Sequence, residues 1–161
     1  MTCADLPEVL EIERACFGAP WSRQVFLEEV RNSGRSHPLI LRQPNPQGGT
    51  RLLGYACLWC VHDELWINNL AVHRGFRRQG FGRRLLRAAL DVGRHLGCSL
   101  ALLEVRAGNE PAVRMYQGEG FRTIGVRPGY YTDSGENALV MAMRLRGQVP
   151  ESDWPGGSKS E

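Results

Sequence analysis

Apolar positions along this chain change period several times, and each change marks an element. Val9, Ile12 and Cys16 recur at helical spacing,. Asp5 followed by Glu8, with Pro7 between them, has the form of a capping box with proline in the first turn,. A helix is therefore predicted from Leu6 to Ala15. Ser22 is placed to cap a second helix in which Phe26 and Val30 share a face,. Pro38 to Arg42 and Leu52 to Val61 are strand-like, and the turn-forming segment Pro44 to Gly49 between them makes a hairpin,. A third strand is predicted from Leu65 to Val72. Leu85, Leu86, Ala89, Leu90 and Leu96 then return to helical spacing over Gly80 to Gly97,. Ser99 to Val105 is a buried strand, and Asn109 caps a helix with Pro111 in its first turn and a stop at Gly118 or Gly120,. Phe121 to Arg127 and Asn137 to Leu145 complete the strands. Alternation of strands and helices after residue 65 implies an α/β or α+β sheet. From Gly147 the chain is polar, with Gly156-Gly157 and two prolines, and reads as a disordered tail after a single domain over residues 1–146,.

Composition narrows the setting. A chain of 161 residues is one ordinary domain, able to bury a core without staples,. Cysteines 3, 16, 57, 60 and 98 have no secreted-framework spacing, and the N-terminus does not resemble a signal peptide,. No apolar run reaches the roughly 18 residues of a membrane span. A soluble cytoplasmic protein is expected, without membrane or direct nucleic-acid contact. Cys57 and Cys60 lie three apart on a strand and face opposite sides of the sheet, which argues against a metal site.

Charge is uneven. Met1 to Val30 carries Asp5, Glu8, Glu11, Glu13, Glu28 and Glu29 against Arg14 and Arg23. His73 to Arg94 carries seven arginines and one acid, Asp91. The second stretch is suited to attract an anion. Within it, Arg77-Arg78-Gln79-Gly80-Phe81-Gly82-Arg83 lies between a strand end and a helix start. Glycines there let the backbone approach a phosphate, while the unpaired amides and positive dipole end of the helix face it. The spacing is neither the three-glycine dinucleotide fingerprint nor a Gly-Lys-Ser/Thr loop. A plain glycine turn before an amphipathic helix remains the bland alternative, and nucleic-acid binding by the arginines a second.

The Arg-x-x-Gly-x-Gly loop after a strand resembles the coenzyme A pyrophosphate loop of the GNAT acetyltransferase superfamily. Ile12-Glu13 with Pro20-Trp21-Ser22, Asn69-Leu70-Ala71-Val72, Leu103 to Asn109, Met115-Tyr116, Gly120-Phe121, Tyr130-Tyr131 and Ala138 to Met141 occur in the order of the RimI-type ribosomal-protein alanine N-acetyltransferases. The likeness covers about residues 5 to 145. It implies the GNAT fold: a mixed, mostly antiparallel central sheet with helices on both faces and strands that splay at the coenzyme A site. It also implies acetyl-CoA as co-substrate, no metal, and direct transfer in a ternary complex to the N-terminal alanine of small-subunit ribosomal protein eighteen. A monomer is expected, though the sequence itself does not give the oligomeric state.

Site residues follow from the same resemblance. Leu70, Ala71 and Val72 would pair with the pantetheine arm, and the amides of Arg78, Gln79, Gly80, Phe81, Gly82 and Arg83 would hold the pyrophosphate. Asn109 would contact the coenzyme as well as cap its helix. Glu104 would act as base and Tyr116 as acid, while Tyr130 and Tyr131, between the last two strands, would receive the acceptor. Read from the residues alone, Glu104 is a strand-end carboxylate paired with Arg106, and Tyr116 is a core aromatic beside Val113. The acidic opening helices would line the acceptor cleft and favour a basic peptide. A transferase for small-molecule or lysine amines, and a non-catalytic acyl-CoA sensor, are the alternatives on this scaffold. The chain departs from the family in having only Met1 to Ala4 before the opening helix, so the usual first strand is either vestigial or removed by a shortened start, and an exposed sheet edge beside Pro38 to Arg42 is expected.

Overall fold

The computed structural model describes residues 1–145; the tail expected from Gly147 lies outside the described residues. Helices α1 (Leu6–Cys16), α2 (Arg23–Arg31), α3 (Phe81–His95) and α4 (Glu110–Gly118) alternate with strands β1 (Leu39–Pro44), β2 (Thr50–Val61), β3 (Glu64–Val72), β4 (Leu100–Arg106), β5 (Arg122–Tyr131) and β6 (Glu136–Arg144). The strands form one six-stranded sheet in the order β1-β2-β3-β4-β6-β5. Every neighbouring pair is antiparallel except β3 and β4, which are parallel. A parallel pair needs a crossover, and α3 supplies it.

Two apolar layers sandwich the sheet. Leu86, Ala89 and Leu90 of α3 and Tyr116 of α4 pack with Leu65, Ile67, Leu103 and Val105 on one face. Val9 and Ile12 of α1 and Phe26 of α2 pack with Leu52, Tyr55, Cys57 and Ala71 on the other. The mixed, mostly antiparallel sheet with helices on both faces is the architecture the resemblance implied.

Two irregularities in β3 shape the site. Cys57 pairs with Asn69 while Leu58 pairs with Ile67, so Asn68 is the extra residue of a β-bulge,. The bulge inverts the alternation: Leu65 and Ile67 face α3, whereas Ala71 faces α1. Pairing between β3 and β4 also stops early, running only from Glu64↔Leu100 to Ile67↔Leu103. Beyond that point β3 stays with β2 as far as Val72, and β4 stays with β6 as far as Arg106. The two central strands therefore diverge from Asn68 and Glu104 onward.

The N-terminus differs from the expected capping box. Asp5 ends a 3-10 turn, Cys3–Asp5, and its carboxylate accepts from the Thr2 amide at 2.7 Å. Glu8 does not fold back on its own helix, because its oxygens accept from the Leu52 amide at 3.0 Å and from Arg42 at 2.8 Å. Arg42 also reaches Asp5 at 2.8 Å, tying α1 to the edge strand. Among the described residues no strand precedes α1; Met1 donates its amino group to the Pro38 carbonyl at 3.1 Å, and β1 forms one edge of the sheet.

Burial alone would raise the Asp5 and Glu8 carboxyls, but donors outweigh it and both sit below their usual values: Arg42 and Thr2 for Asp5, the Leu52 amide and Arg42 for Glu8. Folded values below unfolded ones stabilise the protein above the ordinary carboxyl range, and that stability is lost as pH falls through the folded values. Arg42→Met should therefore cost about 1 kcal/mol near pH 7 and much less near pH 3. Urea titrations of both proteins at the two pH values measure the difference, and an equal cost at both would remove the ion pairs from the explanation.

Candidate functional site

The arginine-glycine loop follows β3 directly and turns into α3 at Gly80, which has φ +82° and ψ 0°. This left-handed conformation favours glycine, since a Cβ there costs roughly 1–2 kcal/mol. Arg78 is also left-handed, at φ +61°. The Arg84 amide bonds the Gly80 carbonyl at 3.0 Å, so the amides of Phe81, Gly82 and Arg83 precede the helical ladder,. Those amides stand at the positive end of a 15-residue helix, an arrangement suited to an anion,.

Much of the arginine charge is used internally. Arg83 and Arg87 both pair with Glu119, at 3.1 and 2.9 Å, and Arg94 pairs with Asp91 at 2.8 Å. Arg77 donates to the Val72 carbonyl at 3.3 Å and to Cys16 Sγ at 3.1 Å, fixing the loop against β3 and the end of α1. These four of the stretch's seven arginines are engaged within the chain.

Where β3 and β4 diverge there is a cleft of about 440 Å³. It brings together Leu70, Glu104, Asn109, Tyr116, Tyr130 and Tyr131, while Ala71, Val72 and the loop from Arg78 to Arg83 lie outside its lining, continuing from the end of β3. Asn109 caps α4 by accepting from the Ala112 amide at 3.4 Å.

Glu104 has a side chain 19% exposed, and its Oε1 lies 2.6 Å from Arg127 Nε. Arg106, the partner expected from strand alternation, instead engages Asp133 at 2.7 Å and Glu136 at 3.5 Å. The β5–β6 hairpin makes the exchange by laying Arg127 beside Glu104 and Asp133 beside Arg106. Tyr130 donates its hydroxyl to Glu104, and this bond is the first cause of the rise in the Tyr130 phenol. Burial pushes Tyr131 up to about 12, and the Arg106 guanidinium stacks 3.9 Å from the centre of its ring. Both tyrosines belong to β5 itself rather than to a connection, because the strand continues through Pro128 and Gly129 with an irregular register.

Tyr116 is 7% exposed and packs edge-on against Phe121 at 5.8 Å between ring centres. Burial pushes its hydroxyl up to about 12, so it stays protonated at neutral pH,. Tyr116 shares a layer with Leu103 and Val105, the neighbours of Glu104 on β4. Alternation sends Glu104 to the opposite face. The carboxyl and the phenol therefore address the cleft from its two sides, with the gap between the strands between them.

Glu13, Asn68 and Arg127 were not singled out from the sequence as site residues. Glu13 lines the cleft but is 1% exposed. It accepts from the Trp21 amide at 2.7 Å, from Asn69 Nδ2 at 3.1 Å and from the Tyr55 hydroxyl. It thus ties the α1–α2 connection to β2 and β3. Its signal was visible: an acid four residues after Val9 and beside Ile12, on the apolar face of α1. Asp5 and Glu8 pair with Arg42, and of the opening's acids only Glu13 lines the cleft, where three donors hold it, so the acidic opening does not produce the free acidic cleft expected of it. Among the described residues no cluster of three or more His, Cys, Asp or Glu is placed to hold a metal ion.

Comparison with known proteins gives the same architecture. The model of the acetyltransferase (GNAT) family matches residues 6–121. The ribosomal protein bS18-alanine N-acetyltransferase of Escherichia coli K12 is 35% identical over 143 residues, spanning 88% of this chain and 92% of that protein. Its namesake in Haemophilus ducreyi is 33% identical over 144 residues, spanning 88% and 94%. Among solved structures, the ribosomal-protein-S18-alanine N-acetyltransferase of Escherichia coli superposes with a TM-score of 0.81 at 31% identity, covering 96% of each chain. Ard1 of Thermoplasma volcanium superposes at 0.78 and 26% identity, covering 91% of this chain and 95% of that one.

Proposed function

This chain belongs to the GNAT acetyltransferase family and is an acetyl-CoA-dependent acyltransferase, and from that premise we propose that it acetylates the α-amino group of an N-terminal alanine, that of ribosomal protein bS18. Proteins 33–35% identical over most of their length carry that activity in their names. The observation that carries the reading is the Glu104 carboxylate at the point where β3 and β4 part, roofed by Tyr130 and facing Tyr116 across the gap.

The chain's own groups fit the coenzyme. The α3 amides and Gly80 suit its pyrophosphate, and β3 beyond Asn68 has no β4 partner, so Leu70 to Val72 keep main-chain groups for the pantetheine arm,. Acetyl-CoA supplies an activated acyl carbon, at which the acceptor's C–N bond forms as the C–S bond breaks. An α-amino group titrates near 7.7–8.0, so it arrives largely protonated and must lose a proton before attack. Glu104 takes that proton, directly or through water. Arg127 and Tyr130 occupy part of the carboxylate, but a carboxylate has about four acceptor positions, which leaves room for the amine.

Tyr116 faces the departing sulfur. A phenol near 12 is a weaker acid than a thiol, which ordinarily titrates near 8.5, so complete transfer from Tyr116 would be uphill by about 5 kcal/mol. Its hydroxyl therefore serves chiefly as a hydrogen-bond donor to the developing thiolate; the acceptor nitrogen sheds two protons between ammonium and amide, of which the thiolate takes up one and Glu104 passes the other to solvent.

The test is thiol release from acetyl-CoA with two peptides, one beginning with free alanine and the other N-terminally blocked with an internal lysine. Release with the free alanine alone is expected. Reaction of the blocked peptide would mean a lysine acetyltransferase, and coenzyme binding without turnover of either would mean a small-molecule enzyme or a sensor.

A further inference from the structure

Asn68 is the one residue of β3 that the sheet does not absorb. It is the extra residue of the bulge, and it is the first β3 position beyond the last β4 pair, Ile67↔Leu103. It lines the cleft with Glu104, yet its Nδ2 is buried and has no hydrogen-bond partner. A buried amide donor left unpaired is costly, and such a group in a native protein calls for an explanation. Its neighbour Asn69 has a structural use, bonding Glu13, which Asn68 lacks.

The geometry points to Asn68 as a specificity-determining residue: its side-chain amide donates to the first peptide carbonyl of the acceptor while Glu104 receives the amine. This rests on the α-amino reading above. The two groups stand on adjacent strands at the place where those strands open. Paired strands are about 4.8 Å apart, and the distance only grows beyond the last pair. Such a span can seat one residue's N–Cα–C=O unit, with a hydrogen bond at each end. An α-amine always has a carbonyl two bonds away, and a lysine ε-amine has none. A donor at Asn68 thus reads the feature that separates the two amine classes, and an acceptor without that carbonyl leaves the donor unpaired. Discrimination by unpaired buried groups is stronger than discrimination by shape.

The test combines two enzymes with two acceptors. The enzymes are the full chain and Asn68→Leu. The acceptors are an alanine-initiated peptide and its analogue with a trans-alkene in place of the first peptide bond, which keeps the shape and removes the carbonyl. Wild type should lose about 5- to 100-fold in kcat/KM on the alkene. Asn68→Leu should lose a similar factor on the natural peptide and change less than about twofold on the alkene. The KM for acetyl-CoA should hold, and the thermal midpoint of the variant should not fall, since leucine removes an unpaired polar group. Equal losses on both acceptors would place Asn68 at the acyl carbonyl or in the fold and overturn the inference, as would no loss on either. Should Asn68→Leu fail to fold, Asn68→Ala is read in the same way. If wild type turns over neither peptide while binding the coenzyme, the α-amino reading fails, and the inference with it.

Discussion

Glu104→Gln should lower kcat by about 10²- to 10⁴-fold, the usual loss on removing a general base, equivalent to about 3–5 kcal/mol of barrier. The replacement keeps the shape and an oxygen for the Tyr130 hydroxyl, so what it removes is basicity and the ion pair with Arg127. Arg127 is half exposed, and such a pair contributes little to stability, about 1 kcal/mol at most,. The thermal midpoint and acetyl-CoA affinity should therefore stay near wild type, which separates a chemical loss from a folding one. Single-turnover measurements with bound acetyl-CoA and saturating peptide isolate the step. A variant that retains wild-type turnover there would remove Glu104 from the chemistry and leave it a positioning anchor for Arg127 and Tyr130.

Local signals carried far in this sequence. The Gly80 turn into α3, the Ser22 cap of α2 and the Asn109 cap of α4 each depend on a few adjacent residues, and all three appear with the expected chemistry. What depends on pairing between distant segments was not legible. Leu65 to Val72 alternates smoothly enough to be taken for a plain strand, and nothing local reveals that Asn68 is extruded; the bulge exists only relative to β2. The Glu104–Arg127 pair is likewise a matter of register, set through β6, where Val140 faces Glu104 on one side and Gly125 on the other. Charge counting failed for a related reason. Asp5 and Glu8 were counted as cleft acids, but the β1–β2 hairpin brings Arg42 to both, and counting cannot distinguish a solvated carboxylate from one with a partner. Strand β5 was expected to end at Arg127. It continues to Tyr131 because the Gly129 amide donates to Asn137 Oδ1 at 2.9 Å, holding the hairpin together through the irregular stretch.

Gly54→Ala should destabilise the protein by about 2–4 kcal/mol, lowering the thermal midpoint by roughly 5–12 °C for a domain of this size. A glycine inside a strand is ordinarily a weakness, and removing one can stabilise by about 0.4–1 kcal/mol through the unfolded chain. Here the space decides otherwise. A Cβ at Gly54 would lie 2.5 Å from the Ala71 carbonyl oxygen, 2.9 Å from Leu85 Cδ1 and 3.2 Å from Val72 Cα. Leu85 could rotate only within a packed core, and the other two atoms are backbone, so β3 or α3 has to move. Gly54 pairs with Val72 at the end of β3, immediately before the loop that leads into α3. The displaced segment is thus the one proposed to hold the pantetheine arm, and the KM for acetyl-CoA should rise along with the loss of stability. Gly34 is the control, since nothing lies within 4 Å of its added Cβ; Gly34→Ala should stay within about 0.5 kcal/mol of wild type. Thermal unfolding of both variants with and without acetyl-CoA measures the two effects together. A Gly54→Ala protein as stable as the Gly34→Ala control would mean that β2 and β3 can separate at no cost, and the close approach of α3 over Gly54 would then not be what holds the end of β3 in place.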